Sequence, residues 1–280
     1  MEALSIMPVL DFLYKTVPGR ILLRPLVSKP VSDISGKLMD TRASGVLIRP
    51  FARKNDIKCE DYLLDGIKTF NEFFCRRIRS GLRPFDMGKA SLVAPCDGLL
   101  TAYDIEKGTV IPVKQSTFSI RSLLRDSRLA ESFEGGKALV FRLCVNHYHR
   151  YSFFDSGRCY KNRRIRGIYH TVRPVALEEY RVFTENAREY VVIDTENFGR
   201  AVQMEVGAML VGRIVNEKYD NSKVVRGDEK GHFEYGGSTI IVLLRKKQAC
   251  IREDILRKSS AGEETPVRMG EIIGVKDGNG

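Results

Sequence analysis

The chain has 280 residues, 43% of them hydrophobic and 29% charged, a length for one large domain or two small ones and a composition too apolar for disorder. Its 46 Lys and Arg against 35 Asp and Glu leave a formal charge of +11, which suits an anionic partner: nucleic acid, an acidic membrane surface or a phosphorylated substrate. Six cysteines without a CxxC pair and four histidines without an HExxH motif argue against a zinc ribbon or a metalloprotease helix, so no metal is expected.

The first 85 residues read as helical. Leu4, Met7, Leu10, Leu13 and Tyr14 recur at amphipathic spacing before Pro18-Gly19 breaks the pattern. The following RILLRPLVSKPVSDIS mixes Leu and Val with Arg20, Arg24 and Lys29. It reads as a helix packed on the core or as a basic element docked at a membrane surface. The run DYLLDGIKTFNEFFCRRI, from Asp61, predicts another helix that ends before Gly81 and Pro84. No apolar run approaches the ~18 residues that span a bilayer. The start carries Glu2, Asp11 and Lys15 and lacks the basic flank and cleavage site of a signal peptide. With cysteines that read as reduced thiols, the expectation is an intracellular chain whose membrane contact is peripheral, on the cytoplasmic side.

After residue 90 short β-rich runs take over: SLVAP, GLLTAY, TVIPV, KALVFRLCV, YVVIDT, AVQMEV, AMLVGRIV and STIIVLLR, many separated by Gly, Pro, Asn or Asp. Strands after a helical start predict an α+β fold: an N-terminal helical region, then a mostly antiparallel β-rich core resembling a barrel or sandwich. The segment SSAGEETPVRMG reads as a loop, with a last strand at residues 271–275. No repeat or linker divides the chain, so one domain over residues 1–280 is expected, with a homodimer as the default assembly.

Four sites carry chemistry. APCDG puts Asp97 after a strand and before Gly98, where an Asp-Gly pair is ordinarily a turn. CVNHYHRYSFFDSG holds His147 and His149, two apart; on a strand they share one face. With no third ligand nearby, general acid–base work suits one of them better than zinc, the plain alternative being a structural histidine. IYHTVRPVAL contributes His170, and EYGGSTIIVLL brings Gly236 and Gly237 onto Ser238 immediately before an apolar strand. Taken alone the last is a bulge or tight turn. Glycine, however, permits backbone conformations closed to other residues, and a peptide strained there presents its carbonyl to the Ser238 hydroxyl. With a base to take the hydroxyl proton and an oxyanion site, Ser238 converts the Gly237–Ser238 amide to an ester. β-Elimination of that ester leaves dehydroalanine, which hydrolyses to a pyruvoyl group.

Together these sites resemble the phosphatidylserine decarboxylase family, whose proenzymes cleave themselves at a GST-type sequence. TFNEFFCRRIRSGLRPFD, APCDG, VKQSTFSIRSLL, CVNHYHRYSFFDSG, HTVRPVAL, NAREYVVIDT, VGAMLVGRI and FEYGGSTIIVLL occur in the family's order. The resemblance implies Asp97 as the acid of a charge-relay triad, His149 in the active site, and Ser238 as the nucleophile that becomes the covalent pyruvoyl cofactor. Cleavage between Gly237 and Ser238 then leaves a large chain of residues 1–237 and a small pyruvoyl chain of residues 238–280. Phosphatidylserine is the implied substrate; its amine condenses with the pyruvoyl ketone, which takes the electrons left by carbon dioxide, and His149 reprotonates the α-carbon. Many members carry a second histidine three positions after the one in YHR, where this chain has Ser152. Either His149 serves both cleavage and decarboxylation, or His147 or His170 takes the vacant role, or self-processing is slow.

The basic runs RRIRSGLR (Arg76, Arg77, Arg79, Arg83) and KNRRIR (Lys161, Arg163, Arg164, Arg166) read as solvated faces or as contacts to an anionic phospholipid surface. Nucleic acid fits worse: no reader motif occurs and aromatics are not interleaved with the basic runs. A relative acting on a soluble amino acid, or an uncleaved lipid-binding relative, are the alternatives.

Overall fold

The computed structural model describes residues 36–113, 116–167, 186–207, 213–217, 219–234 and 238–278. Expectations for residues 1–35, for His170 and for Gly237 therefore lie outside the described residues. In chain order the strands are β1 (Tyr62–Leu63), β2 (Arg77–Ile78), β3 (Ser91–Val93), β4 (Gly98–Asp104), β5 (Val110–Val113), β6 (Ser116–Ser119), β7 (Lys137–Leu143), β8 (Arg150–Ser152), β9 (Gly157–Cys159) and β10 (Arg163–Ile165). They continue with β11 (Arg188–Thr195), β12 (Arg200–Val206), β13 (Ile214–Asn216), β14 (Lys223–Val224), β15 (Glu229–Phe233), β16 (Ser238–Leu244), β17 (Ala249–Ile251), β18 (Thr265–Val267) and β19 (Ile272–Lys276).

The apolar run STIIVLL lacks polar alternation because β16 is buried along its whole length, as a strand covered on both faces must be. It lies near the middle of a nine-stranded antiparallel sheet of order β14-β9-β11-β12-β16-β7-β4-β18, with β10 also on β11. One face packs Leu139, Phe141, Ile240 and Val242 against Tyr151, Phe153 and Phe233, the last three from β8, β15 and their surroundings. The other packs Val140, Ile241 and Leu243 under Ile111 and Phe118 of the β5–β6 hairpin and Leu123 of helix Ile120–Leu124. Two further three-stranded sheets, β13-β15-β8 and β17-β19-β3, complete a sheet-rich α+β sandwich. The path of the large sheet runs from β14 to β18 without closing into a barrel among the described residues.

Two expectations are corrected. Residues 61–78 do not form one helix: only Phe70–Phe74 is α-helical, while Tyr62 and Leu63 pair with Ile78 and Arg77. Gly66, at φ +82°, turns the chain back so that these strands meet. The segment SSAGEETPVRMG is not all loop, because Thr265–Val267 forms β18 on the edge of β4. The amphipathic helix Glu253–Ser260 precedes it and buries Ile255.

Candidate active site

Register brings three sequence-distant segments to one end of the large sheet. Ser238 opens β16 opposite Leu143, the last residue of β7. On the other side of β7, Leu99 of β4 pairs with Arg142, so Asp97 sits just outside the same end. Gly98 lets the strands approach closely: a Cβ there would lie 3.2 Å from the Arg142 carbonyl oxygen, tighter than ordinary contact. Strands are spaced about 4.8 Å apart, which puts the β4 and β16 ends roughly 10 Å from each other across β7.

The histidine-bearing segment spans this end. It leaves β7 beside Ser238, and at its far end the His149 carbonyl accepts the Phe233 N–H at 3.0 Å, five residues before Ser238. His147 and His149 thus lie in the connection between β7 and β8, and the expectation of a strand presenting both on one face is corrected. Their environments differ sharply. The His147 N–H donates to the Cys144 carbonyl at 3.0 Å, and the Cys144 N–H donates to His147 Nδ1 at 3.0 Å. Burial lowers the His147 pKa; the Asp97 charge opposes that lowering and Arg142 adds to it. His149 is fully buried and stacks on Phe74 with ring centroids 4.0 Å apart. Neither ring nitrogen has a hydrogen-bond partner within normal geometry among the described residues. Burial lowers its pKa to about 3, and the Arg76 guanidinium contributes in the same direction.

Phe74 is delivered by a short, well-capped helix. Thr69 Oγ1 accepts the Glu72 N–H, and Glu72 Oε2 accepts the N–H groups of Thr69 and Lys68. These backbone donors hold the Glu72 pKa low and make a capping box that starts the helix at Phe70.

Asp97 is clamped by groups other than a histidine. Arg83 donates to both carboxylate oxygens, Nε to Oδ1 at 2.7 Å and Nη2 to Oδ2 at 2.6 Å. The Met269 N–H adds a third bond to Oδ1 at 2.9 Å. The pair holds the Arg83 pKa above its ordinary value. The run holding Arg83 reads as a solvated face or a contact to a phospholipid surface; Arg83 is instead turned onto Asp97. Its neighbour in that cluster, Arg76, is also internal: its guanidinium lies 4.2 Å from the Tyr62 ring centroid and 5.0 Å from that of Phe73. Only Arg77 and Arg79 of the four remain exposed. Ser152 is buried, with its hydroxyl directed to Met269 Sδ at 3.6 Å and its N–H to the Pro95 carbonyl at 2.9 Å.

Two groups escaped sequence reasoning. His232 on β15 is opposite Arg150, and burial with Arg150 nearby lowers its pKa to about 4. On the face of the sheet that carries Ile240, Lys230 donates to Glu205 Oε2 at 2.6 Å and to Asn216 Oδ1 at 3.0 Å. The bulk of Glu205's burial raises its carboxyl pKa despite that ammonium. The one usable signal was charge inside AVQMEV and EKGHF, since a charged residue in a buried strand requires a partner. Among the described residues no cluster of His, Cys, Asp and Glu could hold a metal ion, and no helix is long and apolar enough to cross a membrane.

The family model described as phosphatidylserine decarboxylase matches residues 70–275. Phosphatidylserine decarboxylase proenzyme 2 of Clostridium acetobutylicum is 41% identical over 266 residues, 95% of this chain and 91% of the relative. The phosphatidylserine decarboxylase proenzymes of Ruminiclostridium cellulolyticum and Clostridium perfringens are 39% and 35% identical, covering 95% and 99% of this chain and 90% and 96% of theirs. The chain is an enzyme of the phosphatidylserine decarboxylase family.

Proposed function

We propose that this protein decarboxylates phosphatidylserine to phosphatidylethanolamine and carbon dioxide after cleaving itself between Gly237 and Ser238. The observation that carries the reading is the convergence of Asp97, the His147–His149 connection and buried Ser238 at one sheet end. Ser238 Oγ attacks the carbonyl carbon of residue 237, the C–N bond breaks, and an ester links the two halves. Loss of the Ser238 α-proton expels the residue-237 carboxylate. Water then replaces nitrogen at the dehydroalanine left behind, releasing ammonia and leaving a pyruvoyl group on residues 238–280.

The residues present fit such a group. The precursor serine is buried at a strand start, shielded from bulk water. His149 is neutral, and among the described residues neither ring nitrogen has a hydrogen-bond partner of normal geometry, which leaves it the imidazole to take the Ser238 hydroxyl proton. With a pKa near 3 it is a weak base, which a reaction needed once per molecule tolerates. His147 is ill suited to that task while Nδ1 accepts the Cys144 N–H, because its one proton then sits on the other nitrogen. A pyruvoyl group supplies a carbonyl that takes the substrate amine and draws in the electrons released as carbon dioxide departs. His149 then returns a proton to the α-carbon, and Asp97, fixed by Arg83 and Met269, holds negative charge beside the histidine connection.

The substrate is a lipid, and the described N-terminal part supports reaching it at a surface. Leu38, Val46 and Leu47 are exposed in the same stretch as exposed Arg42, Arg49, Arg53 and Lys54. Apolar side chains flanked by cations suit a peripheral docking element on an anionic membrane.

Intact mass spectrometry tests the proposal. Purified wild-type protein is expected as two chains, the smaller spanning residues 238–280 with a blocked N-terminus, and to release carbon dioxide from phosphatidylserine vesicles. Ser238→Ala is expected as one inactive chain. A wild-type chain that stays whole and releases no carbon dioxide defeats the reading.

A further inference from the structure

We propose that Arg76 is a positioning residue of the active site, its guanidinium fastening the His147–His149 connection to the Phe70–Phe74 helix and imposing a positive field on the His149 ring. The proposal rests on the reading of His149 as the proton carrier of the site, and adds the group that sets how that ring is held.

Three observations carry it. The first is reach. Arg76 follows the helix by two residues, and its side chain turns inward until the residue is only 2% exposed. Nη1 donates to the Phe73 carbonyl at 3.2 Å, and Nη2 lies 3.5 Å from both the Asn146 and the His147 carbonyl oxygens. One planar fork thus bridges the end of the helix and the connection that carries both histidines. The second is continuity. Phe74, two residues before Arg76, stacks on His149, so one turn of chain holds the connection by its backbone and the imidazole by its face. The third is charge. Among the described residues the partners of the guanidinium are carbonyl oxygens and the Tyr62 and Phe73 rings, with no carboxylate among them. Carbonyl dipoles and ring faces offset the cost of burying a cation and leave its charge uncancelled.

That charge acts on His149. Burial bears most on the protonation of the ring and Arg76 comes next; His147 is the other titratable neighbour, and no carboxylate opposes them. A like charge in dry surroundings disfavours the imidazolium. Arg76 thereby keeps His149 in the neutral form that can receive a proton, while Arg77 and Arg79 of the same basic run face solvent.

The test separates charge from geometry in the full chain. Arg76→Lys keeps the charge and loses the fork; Arg76→Gln keeps a planar donor and loses the charge. The first readout is ¹⁵N-histidine NMR of the Ser238→Ala proenzyme between pH 7.5 and 4.0. With arginine or lysine at this position His149 is expected to stay essentially neutral throughout. In Arg76→Gln its pKa is expected to rise by about one unit, so that the ring takes up its proton within that range. A purely structural role produces no such difference between lysine and glutamine. The second readout is carbon dioxide release from phosphatidylserine vesicles by the variants in the Ser238 background. There kcat is expected to fall about 10-fold or more in both, with KM near wild type, because both lose the fork. Wild-type titration of His149 in Arg76→Gln overturns the proposal, as does wild-type kcat in both variants. Should neither variant fold, ¹⁵N-arginine NMR of the Ser238→Ala protein decides. Separate Nη1 and Nη2 signals with slow rotation support a fork held by three carbonyls, and averaged signals overturn it. A wild-type chain that neither cleaves nor releases carbon dioxide defeats the underlying reading of His149. An indifferent His149 in Arg76→Gln, where the wild type does both, defeats this proposal alone.

Discussion

Burial that outweighs the nearby counter-charges sets the behaviour of the histidines. In the folded chain the His149 pKa is about 3 and that of His232 about 4, against an ordinary value of 6.5. The unfolded chain therefore binds these protons first as pH falls. Their contribution to stability is full above about pH 6.5 and is lost as pH drops toward the folded values, each group steepening the loss by up to about 1.4 kcal/mol per pH unit. Melting of the Ser238→Ala proenzyme is expected to fall between pH 7.5 and 4.5, and His232→Gln to flatten that fall. An unchanged slope in His232→Gln would remove that group from the account. At this scale Asp97 and Ser238 were legible in the sequence because each sits in a short motif at a strand start. Arg83 was not, because a basic run looks alike whether its members face solvent or reach a carboxylate fourteen residues away.

Among the elements, helix Phe70–Phe74 matters beyond its five residues. It positions Phe74 under the His149 ring, and its start depends on the Thr69–Glu72 capping box. Thr69→Ala is expected to cost about 1 kcal/mol, read as a lower melting temperature, whereas Thr69→Ser should recover most of it. Equal melting of Thr69→Ala and wild type would show the cap to be idle. The T-x-x-E signature was available in TFNE, yet the aromatic and aliphatic spacing of residues 61–78 suggested one long helix. Periodicity reports which residues want burial, and tertiary pairing of β1 with β2 satisfied that demand in another way. By contrast, β16 was readable as a strand, since seven apolar-rich residues after paired glycines leave few alternatives.

For the whole molecule the question is how an enzyme of this family meets a lipid. On the docking reading proposed above, the exposed apolar and cationic residues between Leu38 and Lys54 would supply at most a few kcal/mol, near 1 kcal/mol for each cation at the surface. Binding to anionic vesicles is expected to weaken as salt rises, and a joint Arg49→Glu, Arg53→Glu change to reduce it at least tenfold while self-cleavage proceeds at the wild-type rate. Cosedimentation with vesicles alongside the band assay measures both; vesicle binding unaffected by the double change would place docking elsewhere.

The family, the strand-rich core and the chemical identities of Asp97, His149 and Ser238 were written in the chain itself, because short motifs and apolar runs are local properties. Which residues meet was settled only by folding. Antiparallel register aligned the ends of β4, β7 and β16, and packing sent His149 into an apolar stack while a backbone N–H tethered His147. Proton affinity and tautomer follow from those neighbours, which linear spacing does not encode.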